Sequence, residues 1–388
     1  MTGATATRPS LQVGEGRVLL RLRQVAVAFG AAGALLASWL VVQAVIASGN
    51  DTFVARLAEA ARDDGLGPVV TGLENLNDKL NPPKVGGAPD STQLKQLATV
   101  TLPSPVPVTP RAVTLRPTIA PVDTPALPGE GVYKSLVSVD GQPAVQAAYL
   151  RPDTQHTSYL SAVVWMSGRL TRLVQHPGAS DPGRPSLWSQ PPAIPAAARA
   201  GLVATFNGGF KIADSRGGYY ADHHTIGTLT PGSASLVIYD DGHADIGSWG
   251  GEVSMTPQVS SVRQNLKLLV DHGQLAPNLD DSVQSTWGAT LKGAVYVWRS
   301  GVGVTASGDL VYVAGDALSA HTLASLLRRA GAVRAMQLDI NPSWVSFMWY
   351  SVGASPTAVV PHKIAGFQRP ADRYFTDNSR DFFAVYAR

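Results

Sequence analysis

A short apolar run over residues 201–206 ends abruptly in Asn207-Gly208-Gly209. The run is too short for a stable helix and contains β-branched residues, so it predicts a buried strand. Because Asn and Gly tolerate positive φ, the chain can turn sharply where this strand ends. The same pattern, a short apolar run closed by turn residues, recurs through the C-terminal two thirds of the chain and indicates a β-rich domain.

Other candidate strands share this pattern. They lie at residues 144–150, 161–166, 235–239, 266–270, 294–298, 310–314, 333–338 and 382–386. The clearest helix covers residues 319–330, where leucines form one apolar face and Gly331 is placed to end the helix. We therefore predict an α+β fold, with a β-rich mixed-sheet domain and a few packed helices over residues 131–388.

The N-terminal region predicts a membrane anchor. Residues 1–24 carry four arginines and one glutamate, and the next 22 residues carry no charge. Such a run is long enough to span a bilayer as a helix. We predict a cytoplasmic tail over 1–24, a signal-anchor transmembrane helix over 25–47, and an extracytoplasmic remainder, which makes the chain a single-pass protein of the bacterial cell membrane. A cleaved signal peptide ending near Ala47 is the alternative.

A stalk is predicted between this anchor and the folded domain, over residues 48–130. Its first part has leucines and valines at three- to four-residue spacing, which favours short amphipathic helices. Eight prolines follow between residues 102 and 130, a composition typical of a semi-rigid extended spacer.

Charge and cysteine content exclude two classes of function. Residues 1–24 contribute a net charge of +3 and residues 130–388 only +1, so the folded part lacks the basic surface that nucleic acid requires. The chain has no cysteine, which excludes disulfides, a thiol nucleophile and a cysteine-ligated metal.

Polar residues follow several of the predicted strands, and we predict that four strand ends share one site. The Asn207 turn is followed by Lys211, and its consecutive N–H groups are suited to bind a phosphate or carboxylate. The other candidate residues are Asp271, His272, Arg299, Ser300, Asp339, Asn341, Ser343 and Trp344.

Three of these segments resemble the phosphodiester glycosidase family, whose known activity removes N-acetylglucosamine from a sugar phosphodiester. They are Asn207-Gly208-Gly209-Phe210, Arg299-Ser300-Gly301-Val302-Gly303, and Ala330-Gly331-Ala332 followed by Leu338-Asp339. The resemblance covers roughly residues 200–350. One departure stands out, because the family's Asp-Gly-Gly-Gly-Ser is here Asp339-Ile340-Asn341-Pro342-Ser343, which keeps the acid and the serine but has no glycine.

The resemblance implies an extracytoplasmic hydrolase that cleaves a glycosyl phosphodiester in cell-envelope glycan, without a cofactor. Asp339 would stabilise the oxocarbenium-like centre or activate water, Asp271 would be the second carboxylate, and His272 or His223 would transfer a proton. The remaining candidates would bind the sugar and its phosphate. They are Asn207, Gly208, Gly209, Lys211, Arg299, Ser300, Asn341, Ser343 and Trp344.

Two other functions remain open. His223 and His224, together with Asp271 and His272, are weak candidates for a metal site in a metal-dependent phosphodiesterase, although no standard ligand spacing is present. A non-catalytic, surface-anchored module that binds glycan is the second, with sugar-stacking faces supplied by tryptophans. These are Trp287, Trp298, Trp344 and Trp349.

Overall fold

The computed structural model divides the chain into two compact units. One contains residues 1–47 and 52–70, and the other contains residues 48–51 and 71–388. The structure describes residues 12–46, 53–61, 64, 66, 69–70, 82–90, 92, 95, 115–279, 284–288, 295–353, 355 and 358–388. The core of the predicted proline-rich spacer, residues 101–114, lies outside the described residues.

The N-terminal unit is helical. It contains α1 (Gln12–Ile46) and α2 (Phe53–Ala61), and the Trp39 indole N–H donates a hydrogen bond of 2.9 Å to the Asp64 carboxylate. Among the described residues, no helix combines the length and the apolar character that crossing a membrane requires. The transmembrane helix predicted over residues 25–47 is therefore not supported.

The larger unit is built mainly of strands. They are β1 (Lys134–Val139), β2 (Gln142–Leu150), β3 (Ser161–Met166), β4 (Thr171–His176), β5 (Leu202–Asn207), β6 (Tyr219–Ala221), β7 (His224–Ile226), β8 (Ala234–Tyr239), β9 (Ala244–Ser248), β10 (Val259–Gln264), β11 (Leu268–Asp271), β12 (Gln274–Leu275), β13 (Val297–Thr305), β14 (Leu310–Leu318), β15 (Ala332–Gln337), β16 (Phe347–Ser351), β17 (Val360–Lys363) and β18 (Phe382–Ala387). Its helices are α3 (Ile212–Ser215), α4 (Gln284–Trp287) and α5 (Ala320–Arg329).

Three sheets result from the pairing of these strands. The first has the order β1-β2-β3-β14-β13-β15-β11-β12, the second β7-β6-β10-β8-β9, and the third β17-β16-β5-β18-β4. The predicted β-rich domain with few helices is confirmed. The prediction of mixed sheets is wrong, because every pairing between these described strands is antiparallel.

Strand β13 departs most from its prediction. The sequence suggested a strand over 294–298 followed by a turn, but β13 runs on to Thr305 and includes Arg299 to Gly303. Its glycines fit because the neighbouring elements lie close. A Cβ on Gly303 would be 2.6 Å from the Cβ of Ala332, and one on Gly301 would be 3.0 Å from a Leu327 methyl group.

Helix α5 agrees with its prediction. Ser319 precedes it and accepts a hydrogen bond of 3.0 Å from the Thr322 N–H, which caps the first turn. The leucine face is buried against the first sheet, and Gly331 follows the helix with a φ of +100°. A non-glycine residue would be strained there.

The largest hydrophobic core lies between the first and third sheets and includes residues of the second. Phe206 of β5 packs against Tyr312 of β14 and Phe383 of β18, with ring centroids 5.5 and 5.1 Å apart. This contact holds the C-terminal end of β5 against the first sheet, where the strand ends that carry the candidate site meet.

Part of the predicted stalk is attached to the domain. The Ile119 N–H donates to the Gly131 carbonyl at 2.9 Å, and Ile119 is buried. Arg151 pairs with Asp123 at 2.6 Å and with the buried Glu130 at 3.0 Å. Residues 115–130 therefore pack on the domain, although the sequence assigned them to the stalk.

Candidate functional site

Asn207 is the last residue of β5, and its buried side chain joins several strand ends. Its Nδ2 donates to Ser300 Oγ at 3.0 Å, while its Oδ1 accepts from the Tyr312 hydroxyl at 2.9 Å and from the Ser346 N–H at 3.1 Å. All these groups are buried polar atoms that need partners. The Asn207 side chain is therefore committed to holding the third sheet on the first.

Asp339 joins the same junction through its backbone. Its N–H donates to the Gly208 carbonyl at 3.2 Å, and its carbonyl accepts from Ser300 Oγ at 2.8 Å. The structure thus brings three of the four predicted strand ends together, those at Asn207, Ser300 and Asp339.

The glycine turn is packed against protein rather than open to an anion. The Gly208 N–H donates to the Asp381 carbonyl at 3.0 Å, and the Phe210 N–H donates to Asn265 Oδ1 at 3.4 Å. Neither Gly208 nor Gly209 has a left-handed φ. The glycines are required by close approach, since a Cβ on Gly208 would be 2.3 Å from Asp381 Oδ2. The turn is therefore not the open anion-binding site that the sequence predicted.

A buried ion pair lies beneath this turn. Arg263 Nε and Nη2 contact the two Asp381 oxygens at 2.8 and 3.1 Å, and both side chains are fully buried. Arg263 also donates to the Phe210 carbonyl. The bidentate geometry fixes the turn to the start of β18, because a planar guanidinium holds a carboxylate in one orientation.

Arg299 is not available as the predicted phosphate fork. Its buried guanidinium donates to the Leu318 carbonyl at 2.8 Å, to Gln337 Oε1 at 3.0 Å and to the Trp287 carbonyl at 3.3 Å. Burial lowers the pKa of Arg299 to about 10. Within the described residues no carboxylate pairs with it, and its donors are used by neutral oxygens of the protein.

The cation beside Asp339 is Arg380. Its Nη2 lies 3.4 Å from Asp339 Oδ2 and donates to the Gly209 carbonyl at 3.1 Å, and its Nε lies 3.8 Å from Asp181 Oδ2. Asp339 Oδ1 accepts the Ile340 N–H at 2.8 Å. Burial raises the pKa of the Asp181 carboxyl, although Arg380 and Arg263 oppose this shift. One arginine therefore lies between two carboxylates.

The loop from Asp339 to Trp344 forms without the family's glycines. The side chain of Asn341 accepts the Ser343 N–H at 2.8 Å, and its carbonyl accepts the Trp344 N–H at 2.8 Å. The hydrogen bond from the Asn341 side chain stabilises the turn, so the turn does not need the conformational freedom of glycine. The Ser343 carbonyl accepts from Arg373 at 3.2 Å, which ties the loop to the domain.

Trp344 does not offer the predicted sugar-stacking face. It is buried, and the guanidinium carbons of Arg373 and Arg380 lie 5.5 and 5.4 Å from its ring centroid. Trp287 and Trp349 are buried as well, and Trp298 is partly buried against Phe367. These tryptophans fill the interior, so they do not offer the sugar-stacking faces that the glycan-binding interpretation assigned to them.

The predicted second carboxylate lies elsewhere. Asp271 and His272 are in the β11–β12 hairpin, whose Gly273 N–H donates to the Val333 carbonyl at the start of β15. Asp339 follows the other end of β15, about 20 Å away at about 3.4 Å per residue. Asp271 and His272 are paired with each other at 2.9 Å and largely exposed. They do not join the site.

The predicted histidine pair does not gather ligands. His223 and His224 are exposed at the β6–β7 hairpin, where His223 Nδ1 lies 3.5 Å from the Tyr220 hydroxyl. In the described part of the chain, metal-like spacing is found for Glu252, Asp271 and His272, whose ligand atoms lie within 4.8 Å of one another. Lys211, half-buried, precedes α3, and its carbonyl accepts the Asp214 and Ser215 N–H groups.

Sequence reasoning missed the residues that surround Asp339. Arg380 and Asp381 stand directly before the predicted strand 382–386, and polar residues at the beginning of a strand are as informative as those at its end. Arg263 and Asn265 belong to β10 and its end, a strand that was not predicted. Asp181 lies in a Gly- and Pro-rich loop, where the sequence indicates only a turn.

By fold and site, this is a β-rich α+β domain with carboxylates and arginines gathered where two sheets meet. These are the residue types that glycoside and phosphate-ester chemistry uses. Residues 196–339 match the family model described as phosphodiester glycosidase, which confirms the resemblance predicted from the sequence. This part of the chain is thus similar to the phosphodiester glycosidase family.

Three solved structures align with part of this chain. The catalytic domain of zebrafish N-acetylglucosamine-1-phosphodiester alpha-N-acetylglucosaminidase, auto-inhibited by its pro-peptide, is 13% identical with a TM-score of 0.40, over 66% of this chain and 88% of that one. A hypothetical protein from Synechocystis is 12% identical with a TM-score of 0.35, over 64% of this chain and 63% of that one. A putative exported protein from Burkholderia pseudomallei is also 12% identical, with a TM-score of 0.29, over 59% of this chain and 74% of that one. No curated protein matches the chain.

Proposed function

We propose that the domain hydrolyses a sugar-1-phosphodiester, releasing the free sugar and a phosphate monoester. The observation that carries the proposal is the Asp339 carboxylate, with only 7% of its side chain exposed, held 3.4 Å from Arg380 where the ends of β5, β13 and β15 meet. The family match over residues 196–339 supports this reaction class.

The residues around Asp339 are suited to the charges of this reaction. A carboxylate next to the sugar stabilises the oxocarbenium-like transition state or activates water. A sugar phosphodiester also carries a negative charge, and cations stabilise the additional charge that develops on the leaving phosphate. Arg380 supplies one cation, and Lys211, close along the chain to the Gly209 carbonyl that Arg380 contacts, supplies a second.

The first substrate to test is α-N-acetylglucosamine 1-(methyl phosphate). The choice follows the zebrafish protein, whose name gives an N-acetylglucosamine-1-phosphodiester as its substrate. The full chain is incubated with this compound, and released N-acetylglucosamine is measured. Asp339→Asn keeps the size of the side chain and removes its charge, so we expect kcat to fall about 10²- to 10⁴-fold.

Asp271→Asn is the matched control, because it makes the same change in the carboxylate that lies outside the site. We expect it to retain the wild-type rate. Full turnover by Asp339→Asn, or no sugar release by the wild type from this and related sugar-1-phosphodiesters, contradicts the proposal.

The proposal extends to the cell envelope as the place of the substrate. Its support is the sequence alone, since the arginines of residues 1–24 precede an uncharged run and acids follow it. A C-terminal fusion to alkaline phosphatase, which is active only outside the cytoplasm, tests the location. An inactive fusion that accumulates as intact protein contradicts it.

A further inference from the structure

Asp181 is the second carboxylate next to the cation that contacts Asp339. Asp181 Oδ2 lies 3.8 Å from Arg380 Nε, and Asp339 Oδ2 lies 3.4 Å from Arg380 Nη2. The two nitrogens belong to one planar guanidinium. The two carboxylates are therefore held on a shared cation.

The backbone around Asp181 is held in place by the segment that carries Arg380. The Asp181 N–H donates to the Ser379 carbonyl at 3.0 Å, and Asp181 forms a β-bridge with Arg380. A Cβ on Gly178 would be 2.3 Å from the Asp181 carbonyl oxygen, so the loop packs without space between its two arms. Carboxylate and arginine are thus positioned together.

Asp181 is also the more exposed of the two carboxylates and lies beside the backbone of the segment that carries Lys211. Its side chain is 17% exposed, compared with 7% for Asp339. Its Oδ2 accepts the Ile212 N–H at 3.1 Å, which places it next to the backbone of Lys211. Of the two carboxylates, Asp181 is therefore the one hydrogen-bonded to the segment that carries Lys211.

The charges that face Asp181 determine its protonation. Arg380 and Arg263 favour the charged carboxylate, Asp381 disfavours it, and burial disfavours it most, so the pKa of Asp181 is raised. A raised pKa keeps more of the carboxyl protonated near neutral pH, as a proton donor requires.

We propose that Asp181, not Asp271, is the catalytic acid of this site; the inference rests on the proposed function. Water attacks C1 of the sugar, and Asp339 takes its proton. The bond between C1 and the bridging oxygen breaks, its electron pair stays on the phosphate oxygen, and Asp181 gives that oxygen its proton. Exchange with solvent then returns the proton from Asp339 and restores it to Asp181.

The test compares two leaving groups in the full chain. The substrates are α-N-acetylglucosamine 1-(methyl phosphate) and 1-(4-nitrophenyl phosphate), whose leaving phosphate is less basic and needs less protonation. For Asp181→Asn we expect kcat to fall about 10²- to 10⁴-fold on the methyl compound and much less on the nitrophenyl compound. We also expect the wild-type decline in kcat/KM at high pH to disappear, because it reports deprotonation of Asp181.

Asp181→Glu keeps the carboxyl group and is expected to recover part of the rate on the methyl compound. Thermal unfolding of each variant shows whether it is folded. If Asp181→Asn is not folded, Asp181→Glu is tested instead, and its decline in kcat/KM at high pH should be shifted relative to that of the wild type. Equal losses on both substrates with an unchanged pH profile overturn the role of Asp181 and leave the proposed function intact. No sugar release by the wild type from either compound overturns both.

Discussion

Two groups of charged residues lie near opposite ends of β15, and they differ in what surrounds them. The buried cluster consists of Asp181, Arg263, Asp339, Arg380 and Asp381. The exposed cluster consists of Glu252, Asp271 and His272. The Asp339 side chain is 7% exposed, whereas those of Asp271 and His272 are 44% and 73% exposed.

The difference shows why residue type alone identifies a site poorly. Both clusters place carboxylates next to nitrogen-bearing side chains, but water screens the charges of the exposed cluster. In the buried cluster, interactions are stronger and each unpaired charge is costly. Function and stability should therefore both depend on the buried cluster and neither on the exposed one.

The largest expected effect on stability is that of Asp381→Asn. It leaves the Arg263 guanidinium buried without its charged partner, and breaking such a pair costs about 3–5 kcal/mol. Urea unfolding should show this loss, whereas the same change in the exposed cluster, Asp271→Asn, should remain within about 0.5 kcal/mol. Equal stabilities of the two variants would remove the distinction between the clusters.

His176, next to the buried cluster along β4 and β18, should make stability depend on pH. Its ring stacks on Phe382, its Nδ1 hydrogen-bonds the Pro191 carbonyl, and burial lowers its pKa to about 4 from 6.5. Because the unfolded state then binds the proton more readily, stability is retained above pH 6.5 and lost as pH falls toward 4, by up to about 3 kcal/mol.

Urea unfolding at several pH values between 4 and 7 measures this slope. His176→Gln should flatten it, because the neutral amide does not titrate in either state. A slope that is unchanged in this variant would assign the pH dependence to other groups.

Gly208→Ala should have an intermediate effect. The new methyl group would be 2.3 Å from Asp381 Oδ2, so the turn or the ion pair must move, at a cost of about 1–3 kcal/mol. Gly251→Ala, beside the exposed cluster, is the matched change, since its methyl group would meet the nearest atom at 3.4 Å, an ordinary contact. Thermal unfolding of both variants should separate them, and a Gly208→Ala variant as stable as Gly251→Ala would show that the turn tolerates a side chain.

The smallest effect is expected for His272→Ala. Its imidazole is exposed and distant from Asp339, so the rate of sugar release should not change, and neither should it change after chelation of divalent ions. Loss of activity on chelation, restored by Zn²⁺ in the wild type but not in this variant, would instead make the exposed cluster a functional metal site.

The sequence predicted nine of the 18 strands in the described part of the chain and three of the residues that meet at the site. The apolar run before Asn207 and the leucine face of α5 are local sequence patterns, and both elements form where these patterns predicted them. Asn207, Ser300 and Asp339 do meet, as the order of the family motifs suggested. The membrane span predicted from the uncharged N-terminal run is not supported among the described helices.

Local sequence patterns do not predict which distant segments pair with each other. Arg263 and Asp381 are 118 residues apart, and nothing in the sequence near either indicates the other. Arg299 is an opposite case, in which a local motif was misleading. Its position in a family motif predicted that it binds the substrate phosphate, yet its N–H groups donate to carbonyl oxygens of the protein.

By itself, the sequence determined the β-rich class of the domain, its family and the residue types of the chemistry, because hydrophobic period and short motifs are local properties of the chain. Only the tertiary structure decided which carboxylates lie together. The sequence favoured Asp271 over Asp181, but antiparallel pairing carries Asp271 to the far end of β15. The hydrogen bond from the Asp181 N–H to the Ser379 carbonyl instead holds Asp181 beside Arg380. Distance and burial, which set the strength of charge interactions, depend on the assembled fold.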